Sequence, residues 1–407
     1  MSMSFHENQL DMMQVITDLS YPRYSGTKAN EEKCKEYLIE QYKRFGLEPV
    51  VEMAQWNTFS TNVLLRVIVG IIFSGIVTGV VLHLLDLVWV TIIFISALIA
   101  SLIIAVNTQQ NKIDAFATMG NVQETYNMHA LLPSTKKVQD AKVRDVLFVA
   151  HHDTKSQKVT TLVRTSSYVL GFLLSIILGL LMIITSILKL LEVAPNFTSG
   201  MDIVLIVLLA IDVVPLSILL YNKSIKGESL GSLDNATAIA ILLKLMEHYA
   251  QEPERGVNLW FVITGAEEHG MCGAIAFWKR HHDELQELDP NTTAVFNYDM
   301  VAGGVTFIEH FGFPKAPYNS YLNSMIKDSA KANDIQVHGF WLPMLGTTDG
   351  WIFRLNGCDT ADIVTKSMAR YTHSKLDTPE LCDRETLDQA VTITIDVVGK
   401  LEKKNEE

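Results

Sequence analysis

The stretch Leu259-Trp260-Phe261-Val262-Ile263-Thr264-Gly265-Ala266-Glu267-Glu268-His269-Gly270 decides how this chain is read. Leu259 to Ile263 is a short apolar run that reads as a buried strand, and Met271 to Arg280 beyond it reads as a helix. Two adjacent carboxylates therefore fall at the carboxyl end of a buried strand. Desolvation opposes ionising either one, and the neighbour's charge opposes it further. A bound cation, or a proton shared in catalysis, relieves that cost. A solvated loop is the bland alternative, and it loses ground as the other polar strand ends are collected.

Working outward, strands and helices alternate. Residues 5–19 and 29–45 read as amphipathic helices, and Leu47 to Trp56 as a strand. Val122 to Leu132 and Asp145 to Ala150 read as strands, and Asn235 to Tyr249 as a helix. Strands are expected at Thr293 to Tyr298, Val305 to Phe311 and Ala361 to Val364. Helices are expected at Tyr318 to Lys331, Thr348 to Leu355 and Leu387 to Leu401. This pattern predicts an α/β fold, a mixed central β-sheet flanked by helices.

Two apolar pairs interrupt it. Val67 to Leu85 and Leu87 to Val106 form one, and Tyr168 to Leu188 and Ile203 to Tyr221 the other. Each run has about the length that crosses a bilayer, so four transmembrane helices in two hairpins are expected. Gly70, Gly75 and Gly79 would let the first two helices approach closely. The domain plan is then 1–62, first part of the soluble α/β domain; 63–106, hairpin 1; 107–167, the domain continued; 168–221, hairpin 2; and 222–407, the remainder. Asp212 and Pro215 lie inside the fourth span, where an ionisable group is either functional or satisfies loosened backbone groups. Lys112, Lys155, Lys158, Arg164, Lys223 and Lys226 flank the spans on the domain side. The turns carry only Lys189, beside Asp86, Glu192 and Asp202. That asymmetry predicts an integral membrane protein with its soluble domain in the cytoplasm.

Composition agrees. Mean hydropathy is +0.20, which points to membrane segments, and the net charge of -12 with no basic stripe argues against nucleic-acid binding. Cys34, Cys272, Cys358 and Cys382 are scattered without a CxxC pair, so neither a disulfide framework nor a thiolate zinc site is indicated. The opening residues lack the pattern of a cleavable signal peptide.

Polar residues recur after strands or before helices: His151 with Asp153, Asp234, Glu267 with Glu268, Asp299, and His373. The carboxyl ends of strands form the ligand crevice of open α/β sheets, and histidine with carboxylate suits zinc. Five ligands exceed one tetrahedral ion but suit two that share a bridging carboxylate. An extended backbone would point Glu267 and Glu268 to opposite sides, one to ligate and one to act as a base.

A-H-x-D, L-D-N-A before a helix, E-E-x-G, N-x-D after a strand and H-S-x-x-D-T near the end, in that order, resemble the co-catalytic di-zinc aminopeptidases. That family includes aminopeptidase Y, bacterial leucyl aminopeptidases and the glutamate carboxypeptidase II group. The resemblance implies a zinc-exopeptidase-like fold and two zinc ions, with manganese or cobalt fitting the same ligands. It implies that His151 and Asp299 hold one ion, Glu268 and His373 the other, and that Asp234 bridges them. Asp153 would orient His151, and Glu267 would be the general base. Several alternatives stay open: His152 for His151, a helix-capping role for Asp234, and Asp377 as a group orienting His373 or capping a turn. His269 reads as loop, Tyr371 as a possible oxyanion partner, and Thr348-Asp349 as a structural wall.

The implied activity is a membrane-embedded, zinc-dependent aminopeptidase acting on N-terminal residues of peptides. Hydrolysis of aminoacyl or amide-linked lipids, a silent receptor or scaffold, and a glutaminyl-cyclase-like transferase are the competing readings. The expected partners are a peptide or aminoacylated small substrate and the lipid bilayer. Hairpin 2 lies between the His151/Asp153 loop and Asp234, so the spans are expected to be tethered near the active-site rim.

Overall fold

The computed structural model describes residues 9–57, 59–109, 120–136, 143–312, 315–318, 320–342 and 348–406. Residues 5–8 of the expected first helix, and Lys112, lie outside them. The chain divides into two compact units: residues 1–57, 122–160 and 225–407 form one, and 58–121 with 161–224 the other.

The first unit is built on a mixed nine-stranded sheet. Its strands are β1 (Val50–Trp56), β2 (Gln123–Leu132), β3 (Asp145–His151), β4 (Asn258–Thr264), β5 (Thr293–Asp299), β6 (Val305–Phe311), β7 (Ala316–Pro317), β8 (Val337–Leu342) and β9 (Asp359–Val364), in the order β1-β2-β4-β3-β5-β9-β6-β8, with β7 on β6. β4, β3, β5 and β9 are parallel neighbours, and β1, β2 and β4 pair antiparallel. β3 and β5 are buried along their whole length, as a parallel strand covered on both faces must be. β8, with partly exposed side chains and no clean alternation, escaped the sequence reading. The flanking helices α1 (Met12–Asp18), α2 (Lys28–Arg44), α7 (Thr237–Gln251), α9 (Tyr321–Ala332) and α10 (Arg384–Glu406) bury apolar faces into the main core, among them Leu38, Ile239, Leu243, Ile326 and Val397. The expected helix from Met271 is shorter, α8 (Cys272–Trp278), and a wider turn follows over Lys279–Glu284.

The second unit is four helices: α3 (Leu65–Leu84), α4 (Val88–Gln109), α5 (Thr161–Leu190) and α6 (Pro195–Tyr221). Three stretches, Asn62–Leu84, Thr161–Leu190 and Pro195–Tyr221, are long and apolar enough to cross a membrane. The fourth expected span falls on α4, where the described apolar stretch is Val88–Ser101. The unit is inverted relative to a soluble bundle. Trp89, Ile93, Ile203 and Val214 face outward, while Asp212, Ser175, His83 and Ser186 are buried. Asp212 accepts a 2.8 Å hydrogen bond from Ser175. At the helix ends His83 meets Ser186 (2.8 Å) and Asp202 (3.0 Å), and Lys189 meets Asp86 (2.9 Å) and Asp202 (3.1 Å). Gly75 and Gly79 admit Leu98 and Ile95 of α4 against the α3 backbone. Gly70 has open space instead, so only two of the three expected close approaches exist.

Candidate metal centre

β3, β4 and β5 end level with one another: His151 lies opposite Thr264, and the β3–β5 register runs through Val149 and Asn297, two residues before His151 and Asp299. That places His151, the Gly265–His269 turn and Asp299 at one edge of the sheet. Two loops bring the remaining groups. Asp234 precedes α7 in an irregular turn, with φ -120° and ψ 85°. Asp234 makes no helix cap: α7 begins at Thr237, and its Ala236 cap has no side-chain hydrogen bond. His373 follows β9 with φ 59°, and its carbonyl accepts from Gln157 N at 2.9 Å. Ala266 and Met300, beside Glu267 and Asp299, also have left-handed φ of 53° and 54°. Non-glycine residues in this region mark a site that its surroundings over-determine.

All five predicted ligands converge. His151 Nε2 lies 3.2 Å from Asp234 Oδ1 and 3.8 Å from Asp299 Oδ1. His373 Nε2 lies 3.1 Å from Asp234 Oδ2 and 2.6 Å from Glu268 Oε1. His151, Asp234 and Asp299 form one metal-sized group and Asp234, Glu268 and His373 another, so the two oxygens of Asp234 face different partners. Glu267 belongs to neither group.

The surroundings test whether cations fit. His151 Nε2, Asp234 Oδ1, Asp299 Oδ1 and Glu268 Oε1 are buried and make no hydrogen bond. Buried polar atoms are rarely left so, and four facing one another are what a metal would satisfy. The charge balance argues the same way. Burial raises Glu267 well above the usual carboxylate range, reinforced by Glu268, Asp299 and Asp349. Burial likewise brings Asp299 to about 6. Burial disfavours charge on His151, but Asp153, Asp234 and Asp299 outweigh it and raise its pKa. A buried, anion-rich cluster of this kind is stable only with added positive charge.

Other residues hold the ligands in place. His151 Nδ1 faces the Asp153 carbonyl at 3.1 Å and the Asp153 carboxylate at 3.5 Å. The Asp153 carboxylate is turned to the Glu-Glu turn, accepting from the backbone N–H of Glu267 (3.0 Å) and Glu268 (3.3 Å) and from Ser25 (3.2 Å). Asp153 therefore joins the histidine strand to the turn, more than the expected orientation of His151 alone. That turn is a 3-10 turn over Glu267–His269, not an extended segment, so the expected alternation of Glu267 and Glu268 is replaced by a helical offset. Lys155 Nζ reaches Glu268 O at 3.0 Å and Oε2 at 3.3 Å, leaving Oε1 for His373 and a metal. Asn235 bridges to the end of β5, donating to Tyr298 O (3.0 Å) and accepting from Met300 N (3.2 Å).

The open alternatives are settled by position. His152 stacks on Tyr126 and its Nε2 meets Tyr126 O at 3.0 Å, so it faces away from the centre. His269 is buried and stacked on Trp56. Asp377 accepts from Leu233 N at 2.6 Å and Ser229 Oγ at 3.0 Å, which fixes the loop carrying Asp234. Asp349 accepts from Thr264 behind the turn. Tyr371 is partly buried beside the Arg370 guanidinium. Sequence reading missed Arg23, Lys155 and Asn235; of these only Asn235, inside L-D-N-A, lay in a motif.

Residues 211–398 match the model of peptidase family M28. Over that segment, a little under half of its length, the chain is similar to peptidase family M28. The family match contains Asp234, Glu267, Glu268, Asp299 and His373, while His151 and Asp153 precede it. Similar solved structures share the fold. The aminopeptidase from Aneurinibacillus sp. strain AM-1 aligns with 96% of this chain and 92% of its own at 12% identity and a TM-score of 0.54. Acidobacteriales bacterium glutaminyl cyclase aligns with 99% of each chain at 12% identity and a TM-score of 0.54. BSAP, a zinc aminopeptidase from Bacillus subtilis, is 16% identical over 69% of this chain, which spans only 50% of its length, with a TM-score of 0.42. No curated protein matches the sequence. The mixed sheet flanked by helices fits the zinc-exopeptidase fold, and the partial M28 match supports a zinc-dependent hydrolase.

Proposed function

We propose that this chain is a membrane-embedded aminopeptidase of the M28 type that uses two zinc ions. The observation that carries the reading is the pair of three-ligand groups sharing Asp234, with Glu267 beside them and in neither. His151 and Asp299 would hold one ion, Glu268 and His373 the other, and Asp234 both. Bound zinc would supply an acidified water and a polarised scissile carbonyl.

The residues of the chain do the rest. Asp153, by holding the Glu267 and Glu268 amides, keeps Glu268 toward His373 and Glu267 apart from the ligands. Glu267 takes a proton from the attacking water onto a carboxylate oxygen. It returns that proton to the leaving amine as the C–N bond breaks. Lys155 holds Glu268 ionised and oriented. Outward apolar side chains and inward polar ones support membrane embedding of α3, α5 and α6. With α4 as the fourth span, the charge asymmetry of the flanks supports a cytoplasmic catalytic unit.

A glutaminyl-cyclase-type acyl transfer is the second reading, favoured by the full-length fold match to such an enzyme. The test is turnover of aminoacyl-arylamides by purified protein in nanodiscs, with metal content measured alongside. Chelator-sensitive cleavage is expected, with two metals at this centre, counted as those lost when His151 and His373 are both replaced. Glu267→Gln should bind metal normally and lose roughly 10²–10⁴-fold in rate. Cyclisation of N-terminal glutamine with one metal at this centre, and no cleavage, would replace the aminopeptidase reading.

A further inference from the structure

A second histidine-carboxylate cluster lies in the same unit, apart from the centre described above. Glu52 on β1, His129 on β2 and His281 in the turn after α8 each offer an atom within 4.8 Å of the others. β1 and β2 pair with Val50 opposite His129, so Glu52 and His129 share a sheet face. His281 descends onto that face, its ring 4.6 Å from that of His129 and nearly perpendicular to it. Trp260 and Phe277 wall the pocket.

The hydrogen bonds of a neutral His281 ring leave one imidazole nitrogen of this cluster facing a carboxylate. His281 Nδ1 lies 2.6 Å from Glu287 Oε2, so the ring's Nδ1–H is donated there. Its Nε2 then faces Glu52 Oε2 at 3.3 Å. A lone pair against a carboxylate repels unless a proton or a metal sits between them. His129 is 5% exposed and its Nδ1 makes no hydrogen bond. Arg280 Nε stands 3.6 Å from the other Glu52 oxygen, at the solvent edge. One divalent ion would satisfy Glu52 Oε2, His281 Nε2 and His129 together. The contact from Glu287 to His281 Nδ1 is the outer carboxylate that commonly orients a metal-bound imidazole. Glu52 and Glu287 are partly exposed, which gives an ion a route in.

We propose that Glu52, His129 and His281 form a separate site for a borderline divalent cation of the zinc class, held by two imidazoles and one carboxylate and oriented by Glu287. The site ties β1 and β2 to the turn after α8, three segments far apart in sequence.

The test compares full-length protein in detergent with His129→Phe and Glu52→Gln. All three are equilibrated with buffered micromolar zinc and assayed by elemental analysis. None of the three ligands belongs to the catalytic centre, so arylamide turnover serves as the control for folding. Wild type is expected to hold one more zinc per chain than either variant. Cobalt substitution should likewise give visible bands that are weaker in both. If His129→Phe fails to fold, Glu52→Gln, at the rim of the site, decides alone. Equal zinc content in wild type and a folded, active variant would overturn the proposal. It would leave His281 as an imidazolium between two glutamates.

Discussion

Arg23 illustrates how much of a metal centre is made by residues that never touch the metal. Its guanidinium is fully buried and binds backbone carbonyls: His152 O at 2.8 Å, Gly231 O at 2.9 Å, Leu230 O at 3.3 Å, Tyr21 O at 3.2 Å, and Leu19 O. His152 follows the candidate ligand His151, and Gly231 opens the loop of Asp234. One cation thus clamps together two of the three segments on which the first three-ligand group depends. The fork of five donors suits this task as a lysine cannot. Arg23→Met should lower zinc affinity about 10–100-fold, as removal of an outer-shell partner does. Competition titration against a chelating dye would measure it, with circular dichroism confirming the fold. Unchanged affinity in a folded variant would show that the loops hold themselves.

At the level of elements, the Glu-Glu turn is held from behind by a close backbone approach. Asn127 on β2 donates to Gly273 O at 2.9 Å and accepts from Gly265 N at 3.1 Å, stapling the start of α8 to the end of β4. A Cβ on Gly273 would fall on Gly265 O and within 2.6 Å of Asn127 Oδ1. Backbone cannot yield cheaply there, so Gly273→Ala should destabilise the fold by about 1–3 kcal/mol. It should also misplace Glu267 by pushing the turn outward. The expected result is a lower melting temperature together with reduced kcat at unchanged metal content. A variant that melts lower but turns over normally would separate packing from positioning.

At the scale of the whole molecule, the four-helix unit enters the catalytic unit's sequence twice, once between β1 and β2 and once between β3 and Asp234. Each unit has its own buried cluster, Phe148, Phe261 and Phe296 among the residues of one and Ile76, Ile95 and Met182 of the other. Replacing 58–121 and 161–224 with short flexible linkers should release the protein from the membrane fraction after carbonate extraction. Turnover of soluble arylamides should persist within about tenfold if the helices only anchor. Loss of turnover on amide-linked lipids alone would mean that they also deliver substrate.

What the sequence by itself determined was the alternating α/β order, the apolar runs and the five polar positions after strands or before helices. Each is a local signal: period-2 and period-3.6 patterning, uninterrupted hydropathy, and motifs in family order. Gly70 was legible only as a glycine, because whether a small residue meets a neighbour depends on a helix elsewhere in the chain. The tertiary structure alone decided that His151 rather than His152 faces the centre and that Asp153 binds the amides of the turn. It alone placed Arg23, Lys155 and Asn127 as supports, and brought Glu52, His129 and His281 together. Those partners are far apart in sequence, and a buried charge or unpaired imidazole shows its meaning only when the groups that must satisfy it are beside it.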